Sequence, residues 1–208
     1  MKKNFANLCF LLLLSFQLVA QNKDFLCVPY KQFGKVLPTH TEADLIRIFG
    51  KTNVVRDSFF VEGDFAHLIT TVFKGKAEQF SIFWKEENPP FKKPMSVSCD
   101  AKKSPFYVFQ GIKVGSPITE LVKLNDGKAF EFSGFGWDFG GNCCFNLVNN
   151  KFDGLSFRLN MLDNNYQKIS ETDQNKILGD QMVKSDLPIF KKFTPFISEI
   201  TISLNQYE

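Results

Sequence analysis

The chain lacks a strong charge of either sign. Its 25 lysine and arginine residues nearly balance 22 aspartate and glutamate residues, which leaves a formal charge of +3. Residues 1–20 contain two lysines and no acidic residue, so the remainder carries a formal charge of only +1. A chain so close to neutral offers no electrostatic basis for binding nucleic acid or an anionic membrane. We therefore expect no nucleic-acid partner.

The sequence also lacks the short motifs that mark common catalytic and metal sites. It contains no G-x-S-x-G, no H-E-x-x-H and no P-loop. Its cysteines show no C-x-x-C spacing, and its two histidines, His40 and His67, lie near no cysteine in sequence. We therefore predict no metal, no cofactor and no catalytic residue, and the sequence favours a protein that is not an enzyme without deciding the question.

Long apolar runs are scarce, and the one that stands out lies at the N-terminus. Lys2 and Lys3 precede the apolar stretch Leu8–Leu14, and Leu18-Val19-Ala20 places small residues before Gln21. These three parts are typical of a secretory signal peptide. We predict that residues 1–20 form this signal, with a retained anchor as the alternative. The mature protein is then periplasmic or secreted and has no transmembrane segment.

Four cysteines follow the predicted cleavage site, and an even number in an exported chain is compatible with disulfides. Cys27 and Cys99 bracket the first half of the molecule, and a bond between them would close a loop of about 70 residues, worth roughly 4 kcal/mol. Cys143 and Cys144 are adjacent, and a bond between neighbours needs a strained ring. We favour Cys27–Cys99 and leave the adjacent pair either as buried thiols or as a vicinal disulfide.

An internal repeat is the most informative feature that is present. Leu45-Ile46-Arg47-Ile48 aligns with Leu121-Val122-Lys123-Leu124, and both runs are followed by Gly-Lys. Each run carries an apolar stripe at helical spacing, and Gly50 and Gly127 are natural helix ends. The repeat therefore predicts two short helices of about nine residues, each of which needs a sheet to bury its apolar side.

The start of each helix has its own signal. Thr39 with Glu42 predicts a capping box for the first helix. Ser116 followed by Pro117 predicts an N-cap with proline at the first helical position of the second.

Strand candidates follow each helix in the same order. They are rich in β-branched and aromatic residues and are separated by short polar turns. The segments are Thr70–Phe73, Gln79–Trp84 and Met95–Ser98 in the first copy, and Phe145–Val148, Gly154–Leu159 and Ile197–Leu204 in the second.

These signals predict an α+β fold of two tandem units, each a short helix followed by an antiparallel meander. We place the first unit at 21–100 and the second at 101–208. The second unit carries a polar insert over 164–184, in which Ser170 and Asp173 predict a brief capped helix.

The segment 134–142, Gly-Phe-Gly-Trp-Asp-Phe-Gly-Gly-Asn, is the least ordinary in the chain. In an extended conformation, Phe135, Trp137 and Phe139 would share one face. Four glycines weaken a strand, so something should compensate for them. One interpretation is a bare backbone strip for a ligand or partner, contacted by the three aromatic residues together with Asp138 and Asn142. The other interpretation is that the aromatics fill the core and the glycines permit close packing.

Two resemblances bear on function. A capped short helix that ends at glycine and continues into a meander resembles the unit of BamE, an outer-membrane assembly lipoprotein. The tandem arrangement resembles the β-lactamase inhibitory protein. Both imply a non-enzymatic envelope protein whose sheet binds another protein, although this chain lacks a lipobox and has the extra insert. The second half also resembles uncharacterised exported Gram-negative proteins with a GFGWD(F/Y)GG segment, a likeness that implies no activity.

We therefore expect an exported, non-catalytic binding protein of the cell envelope with a protein or peptide partner. The alternative is a small hydrolase or a carbohydrate-binding protein that uses Trp137 and Asp138.

Overall fold

The structure is a computed structural model that describes residues 22–60, 67–143 and 152–206. Within these ranges, helices combine with antiparallel sheets, which confirms the predicted α+β class. The helices are α1 (Glu42–Phe49), α2 (Ile118–Leu124), α3 (Asp163–Tyr166) and α4 (Glu171–Gln174). The strands are β1 (Cys27–Val28), β2 (Gln32–Phe33), β3 (Val54–Phe59), β4 (His67–Val72), β5 (Phe80–Trp84), β6 (Pro94–Cys99), β7 (Glu131–Ser133), β8 (Leu155–Asn160), β9 (Met182–Lys184) and β10 (Phe196–Ser203).

The main sheet contains strands from both halves of the chain, in the order β3-β4-β5-β6-β10-β8. All neighbours are antiparallel. The predicted hairpin of the first half is confirmed as β4 and β5, and the later strand candidates are confirmed as β6, β8 and β10. Because β6 pairs with β10, the two predicted units join in one continuous sheet. The candidate strand Phe145–Val148 lies outside the described residues.

The insert over 164–184 is partly helical and is attached to the second half by a small sheet. Ser170 caps α4, and its side-chain oxygen accepts a hydrogen bond from the backbone N–H of Asp173 at 3.2 Å, as predicted. At the end of the insert, β9 pairs with β7. Ile177 is fully buried in the core cluster, so the insert contributes to the core as well as to the surface.

The cap of α1 differs from the prediction. Thr41, not Thr39, is the N-cap: its hydroxyl accepts from the N–H of Asp44 at 3.2 Å, and the Asp44 carboxylate accepts from the N–H of Thr41 at 3.0 Å. The reason lies at Glu42, which the prediction placed at the end of the capping box. Its carboxylate instead accepts hydrogen bonds from Arg56 at 2.6 Å and from Thr70 at 3.1 Å.

The start of α2 also differs. Pro117 occupies the N-cap position without a side-chain cap, and the Ser116 hydroxyl accepts from the N–H of Lys113 at 3.1 Å instead. The N–H of Ile118 is satisfied from outside the helix, by the carbonyl oxygen of Pro195 at 2.8 Å. A tertiary contact thus replaces the local cap that the sequence suggested. Gly50 is the C-cap of α1 as predicted. The prediction for Gly127 is wrong, because Asn125 is the C-cap of α2 and Gly127 lies two residues beyond it, where its N–H donates back to Val122 at 2.9 Å.

The two faces of the main sheet differ in chemistry. One face carries the apolar residues that form a single core cluster with the buried side chains of both longer helices. On the other face, a row of hydroxyl side chains crosses five neighbouring strands, since each residue pairs with the next in register. The row is Thr71, Ser81, Ser98, Thr201 and Ser156. A polar second face is typical of antiparallel sheets, and Arg158 lies on this face two residues beyond the end of the row.

Among the residues described, no helix has the length and apolar character needed to cross a membrane.

Candidate binding site at the aromatic-glycine loop

Residues 134–142 form a closed loop, which we call the aromatic-glycine loop, between β7 and the edge strand β8. Its ends are joined because the N–H of Ser133 donates to Asn142 at 2.9 Å and the N–H of Gly141 donates to Ser133 at 2.8 Å. The returning limb also bonds to β8, where the N–H of Leu159 donates to the Gly141 carbonyl at 2.8 Å. The loop is therefore fixed to the sheet at its base.

The insert holds the other side of the loop. The N–H of Phe135 donates to Ile177 at 2.7 Å, and the N–H of Gly179 donates back to Phe135 at 2.9 Å. The N–H of Gly134 donates to Gln181 at 2.8 Å. These bonds give the loop a backbone partner on each side.

The predicted extended strand is not formed, and its three aromatic residues do not share a face. Gly136 has a φ of +86°, which turns the chain away from the extended path directly after Phe135. A second turn follows, closed by a hydrogen bond of 2.8 Å from the N–H of Gly140 to Trp137. The alternation expected of a strand is broken, so Phe135 points inward while Trp137 and Phe139 lie outside.

Glycine is required in this loop chiefly by close packing. A Cβ on Gly141 would overlap the carbonyl oxygen of Leu159, and one on Gly134 would lie 2.5 Å from the carbonyl oxygen of Gly179. Two of the four glycines therefore let β8 and the insert approach the loop backbone directly. The interpretation of close packing is supported for these two positions.

Trp137 and Phe139 form an exposed aromatic pair on the loop. Their relative exposures are 37% and 51%, whereas Phe135 is only 2% exposed. The two rings lie edge to face, with centroids 5.4 Å apart. The indole N–H of Trp137 donates to the carbonyl oxygen of Gly134 at 2.7 Å, which fixes the ring against its own loop. The Trp137 ring is therefore held in one orientation at the surface, with Phe139 packed against it.

Arg158 connects the loop to the polar face of the sheet. Its guanidinium donates to the backbone carbonyl of Asp138 at 3.1 Å and to the side-chain oxygen of Asn142 at 3.3 Å. The carboxylate of Glu199 lies 3.8 Å from the same guanidinium. The Asp138 side chain is exposed, so it remains at the surface beside the aromatic pair.

A cavity of about 440 Å³ opens between the loop, β8 and α3. Trp137 and Asp138 line it from the loop, and Arg158, Asn160 and Tyr166 line it from the opposite side. The Tyr166 hydroxyl donates to the Asn160 side-chain oxygen at 3.2 Å. Burial raises the pKa of Tyr166 to about 12, so its hydroxyl stays protonated at neutral pH. The cavity therefore offers a carboxylate, a guanidinium, an amide and a hydroxyl group next to an exposed indole.

The structure thus brings together the predicted site residues Trp137, Asp138, Phe139 and Asn142, with Phe135 buried beneath them. Sequence reasoning missed Arg158, Asn160 and Tyr166. The alternating pattern of the strand at 154–159 indicates that Arg158 points away from the core, but neither its distance from the loop nor the position of α3 can be read from the sequence.

Comparison of the chain with protein-family models, with curated proteins and with solved structures finds no match. The resemblances drawn from the sequence pattern stay predictions.

The predicted pair Cys27 and Cys99 is buried and is present as two thiols. Burial raises the pKa of Cys27, and the neighbouring Cys99 raises it further. Burial also raises the pKa of Cys99 to about 12. Both cysteines belong to one core cluster, and the disulfide between them stays a prediction. Cys143 is buried as well, and Cys144 lies outside the described residues.

No cluster of three or more histidine, cysteine, aspartate or glutamate side chains suited to a metal ion occurs in the part of the chain that the structure describes.

Proposed function

We propose that the chain is an exported, non-catalytic binding protein of the cell envelope whose partner is a protein or peptide. The observation that carries this proposal is the exposed pair of Trp137 and Phe139 on a loop that is hydrogen-bonded to two neighbouring elements. Exposed aromatic residues held in one conformation lose little entropy on binding, so their buried area contributes more fully to affinity.

The residues around the pair support binding of a polypeptide. Tryptophan, tyrosine and arginine are enriched among the residues that dominate protein interfaces, and Trp137, Tyr166 and Arg158 line one cavity. Asp138 and Asn160 provide polar groups at its edge. An apolar centre surrounded by hydrogen-bonding groups is the usual arrangement of such interfaces.

The test is selection of ligands from a random peptide library on the immobilised full chain, followed by affinity measurement on variants. We expect Trp137→Ala to lower the affinity for the selected peptides by about 30-fold or more, which is the loss typical of a dominant interface residue. Phe139→Ala should weaken them as well, and it leaves every hydrogen bond of the loop intact.

Phe60→Ala is the matched control, because Phe60 is 72% exposed and follows β3, the opposite edge strand of the sheet. This variant should bind as the unchanged protein does. Equal affinity in all three variants would exclude the aromatic-glycine loop as the binding site.

The same cavity also favours a second candidate, a carbohydrate ligand, because an exposed indole beside amide, guanidinium and carboxylate groups suits a sugar ring. Screening of a glycan array with the unchanged protein and with Trp137→Ala distinguishes the two. Glycan binding that is lost in the variant would favour this candidate, and binding in neither protein would remove it. Turnover of a generic glycoside or ester substrate would favour the hydrolase form of this alternative.

Export is part of the proposal and depends on the signal-peptide pattern of residues 1–20. Expression of the full chain in a Gram-negative host, followed by N-terminal sequencing of the periplasmic fraction, tests it. We expect a mature protein that begins at Gln21. A protein retained in the cytoplasm with Met1 intact would contradict it.

A further inference from the structure

A second cavity, of about 420 Å³, lies in the first half of the chain and is separate from the aromatic-glycine loop. Its wall is built from six phenylalanines: Phe25, Phe33, Phe49, Phe73, Phe80 and Phe106. The rings support one another, with centroids 4.4 Å apart for Phe33 and Phe106 and 5.1 Å apart for Phe33 and Phe80. The size and apolar wall are those of a small-ligand site.

Phe73 occupies this wall in a strained backbone conformation. Its φ is +55°, which is uncommon for a bulky residue. Its N–H donates to the Asn53 carbonyl at 2.8 Å, and its ring lies edge-on against Phe49 at 5.5 Å. Such strain persists only where the surrounding structure enforces it, and it is concentrated at ligand sites and switches. The strained backbone of Phe73 is therefore a second observation, independent of the cavity volume, that favours a ligand site here.

Four charged side chains lie at the mouth. Lys35 and Asp24 form an ion pair of 2.8 Å and largely neutralise each other. Lys76 donates to the Asn53 side-chain oxygen at 3.0 Å and lies 5.4 Å from the centroid of the Phe73 ring. The Asn53 amide and the Phe73 ring are both neutral, so neither cancels the charge of Lys76. Its ammonium also has further N–H donors for a ligand. Glu78 is the remaining acid at the mouth.

We propose that this phenylalanine pocket binds a medium-chain carboxylate, with the acyl tail between the rings and the carboxylate at Lys76. An aliphatic tail gains from leaving water in proportion to its area. A carboxylate is the head group that an ammonium at the mouth favours, because it accepts the remaining N–H donors. The site is independent of the proposed partner-binding loop.

The test is calorimetric titration of the full chain with octanoate, decanoate, decanol and decyltrimethylammonium, each below its micelle concentration. We expect one decanoate per chain, bound about fifteen-fold more tightly than octanoate, because each added buried methylene strengthens binding about fourfold. Decanoate should also bind more tightly than decanol and the cationic amphiphile.

Two variants at the mouth test the head group. Lys76→Gln should weaken the binding of decanoate by about 1.5- to fivefold, the range of an exposed ion pair, and should leave the binding of decanol unchanged. Glu78→Gln should strengthen the binding of decanoate, because it removes from the mouth a negative charge that repels the carboxylate of the ligand. Unchanged affinity in Lys76→Gln, or equal binding of decanol and decanoate, would show that the head-group assignment is wrong.

Two variants on α1 test the location. Ile48 lines the pocket and is 36% exposed, whereas Ile46 is 37% exposed and does not line it. Ile48→Trp should block decanoate, and Ile46→Trp should leave its affinity unchanged. Absence of decanoate binding, or equal loss in both variants, would overturn the proposal. A change of oligomeric state would also overturn it. If light scattering shows that the wild-type protein is a dimer and that Ile48→Trp is a monomer, a second copy of the chain occupies the pocket.

Discussion

Replacement of Gly141 by alanine is the sharpest test of how the aromatic-glycine loop is built. The substitution has two separate costs. The first is backbone strain, since Gly141 has a φ of +78° and a side chain in this region costs about 1–2 kcal/mol. The second is overlap, because the new Cβ would collide with the carbonyl oxygen of Leu159 on β8. Added atoms in a well-packed site typically cost about 1–3 kcal/mol.

Gly136→Ala isolates the first of these costs. Gly136 has a φ of +86° in the same loop, but a Cβ there meets only the Leu178 side chain, at an ordinary contact distance of 3.7 Å. We therefore expect Gly136→Ala to lose about 1–2 kcal/mol of unfolding free energy and Gly141→Ala to lose about 2–5 kcal/mol. The difference between them measures the contact between the loop and the edge strand.

The assay is thermal unfolding followed by circular dichroism. For a protein of this size, 1 kcal/mol shifts Tm by about 2–4 °C, so Gly136→Ala should shift it by about 5 °C and Gly141→Ala by about 10 °C. Gly75→Ala, with a φ of +81° and open space in the β4–β5 turn, should match Gly136→Ala. Equal shifts at all three positions would refute close packing of the loop on β8.

Two further predictions concern pH and the buried cysteines. The backbone N–H of Thr41, its hydroxyl and Arg47 lower the pKa of Asp44 from 3.8 to about 2. The contribution of the Asp44 carboxylate to stability is therefore complete above a pH of about 4 and is lost as the pH falls towards 2. The difference in urea midpoint between the wild-type protein and Asp44→Asn should be largest at neutral pH and should shrink between about pH 4 and about pH 2. For Cys27 and Cys99, we expect a disulfide in protein isolated from the periplasm without reductant, because both lie in one core cluster and export exposes the chain to an oxidising compartment. Alkylation of the unfolded protein followed by mass spectrometry should leave both unlabelled, and labelling of both would contradict the disulfide.

Local signals were enough to predict five of the six strands of the main sheet and the two longer helices, whereas β3 was not among the strand candidates. The hairpin of β4 and β5 follows from a polar turn between two apolar segments, and Gly50 marks the end of α1 because glycine accepts a φ of +86° there. These features depend on neighbours in sequence, so pattern and propensity suffice. The pairing of β6 with β10 joins residues about a hundred positions apart, and no local pattern specifies it.

The choice between Thr39 and Thr41 as the N-cap of α1 could not be predicted from the local sequence. Both threonines have an acidic residue three positions later, so the sequence offers two equivalent capping boxes. Arg56 and Thr70 decide between the two, because they donate hydrogen bonds to the Glu42 carboxylate and so keep it from capping the helix. A long-range contact therefore decided a feature that is local in appearance.

The sequence by itself determined the α+β class, five strands of the main sheet and the place of an unusual segment rich in glycine and aromatic residues, because hydrophobic period and glycine content are properties of short segments. Only the tertiary structure decided what that loop presents. The turn at Gly136 separates Phe135 from Trp137 and Phe139, and the close approach of β8 and the insert at Gly141 and Gly134 fixes the base of the loop. The pairing of distant strands then places Arg158 and Tyr166 beside the exposed rings. Burial and proximity depend on the whole chain, so neither could be read from the segment alone.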